Sequence, residues 1–138
     1  MSSTITELRT ALAANATTAA GIVGLSKVPP RVDENLAVVR FGGVEEYRST
    51  FGRGVWEVDL EVDVLVPVGG RTEDAELTLE EFVSPTGPSS IVEALEVDRT
   101  LAGKASTLHV SDCSDMTSTE LAGKLVLICT LKVHVYAK

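Results

Sequence analysis

The chain has 138 residues, of which 44% are hydrophobic, and a formal net charge of −8 at pH 7. This length is typical of one compact domain with its own core, so we predict a single domain over residues 1–138. The 12 Lys and Arg residues are scattered singly against 20 Asp and Glu, which argues against a phosphate-binding surface. The longest unbroken apolar run, residues 125–129, is too short to cross a membrane. Neither specific nucleic-acid binding nor membrane contact is expected.

The first predicted element is a helix. Thr4 and Glu7 have the spacing of a capping box, in which each side chain satisfies a free backbone amide at the helix start. The apolar residues that follow share one face, and the helix is expected to run to about residue 19. A short strand is predicted within 22–28, and Pro29-Pro30 stops it. A loop to about residue 35 follows.

Residues 36–41 and 44–51 are predicted to form two strands around Gly42-Gly43, and a tight hairpin at 52–54 leads to a third. In the third strand, residues 55–66, apolar residues alternate with acidic ones. A period of two is typical of a strand with one buried face. The other face then carries a line of four carboxylates, which we call the acidic column: Glu57, Asp59, Glu61 and Asp63.

The acidic column needs an explanation, because same-face residues of a strand lie about 6.5–7 Å apart and these charges repel one another. If the aromatic residues of the two hairpin strands share a face, Arg48 lies opposite either Asp59 or Glu57 and offsets one carboxylate. The other three carboxylates must then face water, a basic partner or a molecule that they repel. The candidate site residues are therefore the basic and acidic residues of this hairpin, namely Arg48, Arg53, Glu57, Asp59, Glu61 and Asp63.

After Gly69-Gly70 the apolar residues recur at helical spacing up to Val83, which predicts a helix with an acidic outer face. The sequence PTGP at 85–88 ends it, and Ser90 with Glu93 forms a second capping box for a short helix. Two strands, about 106–116 and 124–136, complete the chain and are joined at 122–123. The element order predicts an α+β fold: a mainly antiparallel sheet with the N-terminal helix and the two consecutive helices packed on one face.

Two Cys and two His suggest a zinc site, but strand geometry argues against it. His109 and Cys113 are expected to share a face, whereas Cys129 and His134 differ by an odd number and point to opposite faces. A two-residue turn at 122–123 places Cys113 opposite Lys132 and not opposite Cys129. We therefore predict no metal site and two free thiols.

No nucleophile elbow, phosphate-binding glycine loop or His-Glu metal helix occurs in the sequence. Paired carboxylates can perform acid–base chemistry, yet the acidic column is expected to have no convergent His, no aromatic wall and no pocket. The sequence therefore predicts a protein that is not an enzyme and that needs no cofactor. The column is interpreted as a solvated or assembly face.

A longer stretch of the chain carries a family resemblance. Residues 84–101, SPTGPSSIVEALEVDRTL, followed by AGKASTLHV and the final strand ending VHVYAK, resemble the tail terminator proteins of long-tailed phages, especially those of actinobacterial hosts. The preceding segments TELRTALAA, FGRG and GGRTEDAELTLEEF fit the same family. Residues 21–35 are the least similar part of the chain.

The resemblance implies a structural subunit that forms a homo-hexameric ring. Such a ring caps the tail tube protein, ends tail polymerisation, and presents a surface to the head-side connector, or stopper, while DNA passes through its lumen without specific binding. The implied location is the tail–neck junction of the virion, and the host cytoplasm during assembly. The acidic column then lines the lumen or meets a neighbouring subunit. The alternatives are another ring-forming adaptor of the phage neck or head-completion type, and an acidic α+β domain that binds a small molecule.

Overall fold

The computed structural model describes residues 4–19, 21–26, 34–46, 56–68, 72–101, 103, 105–121 and 124–137. Within these residues the chain forms three helices and six strands. Their order is α1 (Ile5–Ala16), β1 (Val23–Leu25), β2 (Leu36–Glu46), β3 (Trp56–Pro67), α2 (Thr72–Val83), α3 (Ile91–Leu95), β4 (Ala105–Cys113), β5 (Thr117–Leu121) and β6 (Lys124–Ala137). None of the described helices is long and apolar enough to span a membrane.

The strands form one sheet in the order β1-β2-β3-β6-β4, and β5 pairs with β6 on the same side as β4. Only β1 and β2 are parallel; every other pairing is antiparallel. The predicted α+β fold with a mainly antiparallel sheet is confirmed. The predicted junction at residues 122–123 lies outside the described residues; on either side of it, Leu121 and Lys124 are paired in antiparallel strands.

The main core lies between the sheet and the three helices. The alternating residues of β3 and β6, among them Leu60 and Val133, are fully buried, as the period of two predicts. They join one apolar cluster with the inner faces of the helices, which contribute Leu8, Leu12, Leu79, Phe82, Ile91 and Leu95. All three helices therefore pack on the same face of the sheet, because that face carries the continuous apolar surface.

The opposite face, which we call the outer face, is not polar along its whole length. Leu36, Val38, Leu65 and Val126 are buried there and form a second apolar cluster with Leu25 and Ile128. This cluster occupies the end of the sheet where β2 and β6 begin and β3 ends. The polar residues occupy the other end.

Helix α1 is anchored by two polar contacts that the sequence pattern did not indicate. The buried side chain of Asn15 donates to the carbonyl oxygens of Leu95 (3.1 Å) and Asp98 (3.0 Å), which ties α1 to the end of α3. Gly24 of β1 lies so close to the Ala13 carbonyl that a Cβ atom would collide with it. Glycine is required at this position for close approach of strand and helix.

Two strand predictions need correction because bulges were not foreseen. Residues 36–46 form one strand and not two, with register shifts between Phe41 and Gly43 and between Val44 and Glu46. The predicted strand 106–116 is interrupted after Cys113 and resumes as β5. Ser114 continues the pairing between them, since its backbone amide donates to the Thr130 carbonyl oxygen at 2.8 Å. The predicted hairpin turn at 52–54 lies outside the described residues.

The Leu60→Ala variant is expected to lose about 2–5 kcal/mol of unfolding free energy, because the fully buried side chain would leave a cavity in the main core. The matched control is Leu77→Ala on α2, where the leucine is 60% exposed and the expected change is within about 0.5 kcal/mol. Urea unfolding followed by circular dichroism measures both. Equal losses in the two variants would contradict the assignment of the core face.

Candidate functional site on the outer sheet face

The acidic column lies on the outer face of β3, between β2 and β6. The antiparallel register sets Arg40 of β2 and Lys132 of β6 on either side of Glu61. It also sets His134 of β6 directly opposite Asp59. Because directly opposed residues share a face, basic side chains from both flanking strands reach the column.

Arg40 forms ion pairs with two neighbouring carboxylates of the column, those of Glu61 and Asp63. Its Nη2 lies 2.8 Å from Glu61 Oε2 and 2.9 Å from Asp63 Oδ1, and its Nε donates to Asp63 Oδ2. Asp63 Oδ1 also accepts from the Thr130 hydroxyl at 2.8 Å. The hydrogen bonds to Asp63, with added attraction from both carboxylates, raise the pKa of Arg40 above its ordinary value. Arg40 is therefore a permanent cation that bridges two members of the column.

His134 lies beside the other two carboxylates of the column, those of Asp59 and Glu57. Its Nδ1 lies 2.7 Å from Asp59 Oδ1, and its Nε2 lies 3.8 Å from Glu57 Oε2. The ammonium of Lys132 lies 3.6 Å from Asp59 Oδ2. The Asp59 side chain is only 10% exposed, and a buried carboxylate is tolerated when it is paired and hydrogen-bonded.

The structure places the predicted site residues in two groups. Glu57, Asp59, Glu61 and Asp63 lie together as predicted, whereas Arg48 and Arg53 lie outside the described residues. The predicted register of Arg48 is wrong, because Gly43 pairs with Asp59 and Glu46 pairs with Glu57. Arg40, which lies opposite Glu61 before the register shifts of β2, is the described arginine that pairs with the column.

The column also has the convergent histidine that the sequence analysis did not expect. Lys132 and His134 stand on the polar side of β6, but only the pairing of β6 with β3 brings them to Asp59. Among the described residues, the four carboxylates thus face two permanent cations, Arg40 and Lys132, and this group of six side chains carries a charge of −2. Half of the column's charge is thus offset by described residues of the same chain.

A shallow open cleft of about 230 Å³ lies beside this histidine, lined by Asp59, His109, Ser111, Lys132, His134 and Tyr136. The rings of His109 and His134 have their centroids 5.6 Å apart. The ring of Tyr136 meets that of His134 edge-on at 4.8 Å. The expectation that no pocket or aromatic wall lies beside the column is therefore corrected.

A larger open cleft of about 590 Å³ lies on the helical side of the molecule. It is formed where the end of α1 meets α3 and the PTGP segment, and its walls include Thr18, Pro85, Pro88, Glu93 and Val97. Val97 is 62% exposed at its rim.

The two histidines and two cysteines are separated by the sheet. The register shift between Val110 and Asp112 pairs Cys113 with Leu131, on the core side, while His109 pairs with His134 on the outer face. The predicted shared face of His109 and Cys113 is wrong for this reason. The predicted pairing of Cys113 with Lys132 is wrong because the register also changes by one residue between β5, where Thr117 pairs with Ile128, and Cys113 of β4. Both cysteines are free thiols, as predicted. Among the described residues, no group of three or more His, Cys, Asp or Glu side chains is placed to hold one metal ion.

Comparison with known proteins identifies no relative: no protein-family model matches the chain, and no curated protein matches it either.

Replacing Arg40 by Met is expected to lower the unfolding free energy by about 1–2 kcal/mol, because Glu61 and Asp63 lose their shared cation while the aliphatic stem is retained. Arg99→Met is the matched control, since the exposed Arg99–Glu96 pair is expected to contribute less than about 0.5 kcal/mol. Urea unfolding at low and high salt measures both. Similar losses in the two variants would show that the Arg40 bridge contributes no more than an ordinary surface pair.

Cys129 is expected to resist alkylation in the folded protein. Burial, followed by the nearby Cys113 thiol, raises its pKa from 9.0 to about 11, so below pH 9 its thiolate population falls about 100-fold. The preference for the neutral thiol stabilises the fold below pH 9, and this contribution is lost as the pH rises towards 11. Iodoacetamide labelling at pH 8, mapped by mass spectrometry, measures the reactivity.

The exposed Cys113 is the internal control for that labelling, and urea-unfolded protein is the reference in which both thiols react. Cys113 is expected to react faster than Cys129 in the native state, although burial also raises the pKa of Cys113. Native labelling of Cys129 at the unfolded rate would contradict its position in the core.

Proposed function

We propose that this chain is the subunit of a homo-hexameric ring of the tail terminator kind, which caps a phage tail tube and joins it to the head-side connector. The observation that carries this proposal is local: residues 84–101, which bear the strongest resemblance to that family, form one hydrogen-bonded unit at the surface. The function requires contact surfaces and no catalytic group, so it depends on the shape and charge of such units.

The surface unit is held by a small set of hydrogen bonds. Ser90 caps α3 by accepting from the Glu93 amide at 3.1 Å, and its hydroxyl donates to the Ser84 carbonyl oxygen. Glu93 reaches back and accepts from the Gly87 amide at 3.1 Å. These bonds hold the PTGP segment against α3, and Asn15 ties the far end of α3 to α1. The resulting rim borders the 590 Å³ cleft and exposes Val97. We propose this rim as the surface that contacts a neighbouring subunit or the tail tube protein.

The outer face supports the lumen as the location of the acidic column. Arg40, Lys132 and His134 already approach the carboxylates within one subunit, so the column does not require basic residues from a neighbour. The remaining charge of −2 is repeated in each subunit of a ring. A weakly negative wall repels phosphates, which fits DNA that slides through without binding. The protein then acts in the virion at the tail–neck junction and assembles in the host cytoplasm.

A second candidate is a small-molecule-binding domain, and the volume of the helical-side cleft is the observation that favours it. Pockets for small ligands are concave, and they bury most of the ligand. This cleft is open to solvent and has charged residues at its edge, including Glu96 and Arg99. These features fit a surface contact better than an enclosed ligand, which is why the ring is the preferred function.

The ring proposal predicts a hexamer, in solution or on the ends of tail tubes, when mass is measured by light scattering and particles are viewed by electron microscopy. The Val97→Asp variant is expected to weaken assembly at least about tenfold, because it places a charge at a contact that excludes water. Leu77→Asp is the matched control, since Leu77 is equally exposed but lies on α2, away from the cleft. Circular dichroism checks that both variants fold.

The outcomes separate the candidates. A wild-type protein that stays monomeric, even with tail tubes present, would contradict the ring and favour the binding domain. A hexamer that tolerates Val97→Asp as well as Leu77→Asp would keep the ring but remove the cleft rim from its interface. Docking to a portal-side adaptor without any effect on tube length would indicate a neck or head-completion ring.

A further inference from the structure

We propose that His109 and His134 form a binding site for one first-row transition-metal ion on the outer face, with Cu²⁺ bound more tightly than Ni²⁺ or Zn²⁺. The two residues are direct partners across β4 and β6. Direct antiparallel partners have their Cβ atoms about 4.5–5.5 Å apart, so both side chains can reach the same point above the sheet. Imidazole nitrogen is a preferred ligand of these three ions.

The distance between the rings fits a bridging ion. An ion bonded to one nitrogen of each ring at about 2.0–2.1 Å holds the two ring centroids roughly 4.5–5.5 Å apart, depending on the bond angle. The observed centroid separation is 5.6 Å, with the rings tilted by 41°. The observed separation is slightly longer than this range, and His109 is exposed, so its side chain has room to rotate towards the ion.

Asp59 gives His134 the arrangement that is typical of metal-binding histidines. Its carboxylate oxygen lies 2.7 Å from Nδ1 of the ring. When the neutral ring donates from Nδ1 to this carboxylate, Nε2 carries the lone pair that binds a metal, and the ring orientation is held. Asp59 is thus a positioning residue and not a ligand. Glu57 Oε2 lies 3.8 Å from Nε2, and its negative charge favours a cation beside that nitrogen.

The site supplies two protein ligands, since the described residues contain no group of three or more that could hold one ion. Water completes the coordination sphere in the open cleft of about 230 Å³ that both histidines line. A bound ion would therefore exchange readily and would differ from a closed structural zinc site. It would join the edge strand β4 to β6 and stabilise the folded chain by mass action.

The direct test uses CuCl₂ and NiCl₂ with protein that carries no polyhistidine tag. Because thiols bind and reduce Cu²⁺, the parent for the measurement is the Cys113→Ser/Cys129→Ala variant, which leaves the histidine pair intact. We expect one ion per chain by calorimetry and an electron paramagnetic resonance spectrum of Cu²⁺ with two equivalent nitrogens. Ni²⁺ is expected to raise the midpoint of thermal unfolding.

His109→Gln is the informative variant, because His109 is exposed and its loss leaves the Asp59–His134 contact in place. It is expected to lower the affinity for Cu²⁺ at least about tenfold, to reduce the nitrogen coupling to one ring, and to abolish thermal stabilisation by Ni²⁺. Asp59→Asn is expected to weaken binding less and to retain two nitrogens. The chain contains only these two histidines, so no other imidazole can replace them.

Three results would overturn the proposal. The first is equal affinity in the parent and in His109→Gln, and the second is a Cu²⁺ spectrum without imidazole nitrogen. The third is binding that appears only when Cys113 and Cys129 are present, which would assign the ion to the thiols on the other side of the sheet. None of these results depends on ring assembly, so the ring and the metal site are tested separately.

Discussion

The pairing of β3 with β6 is the interaction on which the rest of the molecule depends. These two strands pair over twelve consecutive positions, from Trp56 with Ala137 to Pro67 with Val126, without a register shift. They occupy the centre of the sheet: β2 extends it on one side, and β4 and β5 extend it on the other. A slip by one residue would exchange the two faces of a strand, exposing the valines and leucines of the core and burying the carboxylates. The register of β3 with β6 therefore determines both which residues form the core and which residues surround the acidic column.

The same register resolves the electrostatic problem that the acidic column creates. Four carboxylates on one strand face repel one another, but each lies within reach of a basic or titratable side chain from a neighbouring strand. Arg40 bridges one pair of carboxylates and His134 contacts the other pair, so two side chains contact all four carboxylates. Because such polar contacts are satisfied only in one alignment, they favour the native register over its alternatives.

The local features of the fold were predictable because short-range rules govern them. One half of each predicted capping box forms: the Thr4 and Ser90 hydroxyls accept from the Glu7 and Glu93 amides. The glutamate carboxylates accept from other donors, Glu7 from the Thr4 hydroxyl and Glu93 from the Gly87 amide. The alternation of β3 predicted its buried face correctly, since burial follows directly from a period of two. The residues that were missed act over long distances in sequence. Asn15 bonds to residues about 80 positions away, and nothing in its local pattern indicates that it is buried.

Bulges explain most of the errors at the site. A bulge adds one residue to a strand and changes the face of every residue beyond it. In β2 the shifts place Gly43 opposite Asp59 and Glu46 opposite Glu57, the two positions that were predicted for Arg48, while Arg40 in the regular part of the strand lies opposite Glu61. The shift in β4 moved Cys113 to the core side and left His109 beside His134. The sequence does not signal these shifts clearly. In β2, for example, the glycines at 42–43 indicated a turn as readily as a bulge.

The sequence by itself determined the fold class, the buried face of β3, the helix starts and the presence of a charged column, because each depends on periodicity or on contacts within a few residues. Only the tertiary structure decided what faces that column. Arg40, Lys132 and His134 come from strands that are distant in the chain, and their approach depends on strand order and register. The pairing of the two histidines, and their separation from the two cysteines by the sheet, depend on the register of β4 with β6. Long-range pairing selects one arrangement among several that the local pattern permits equally.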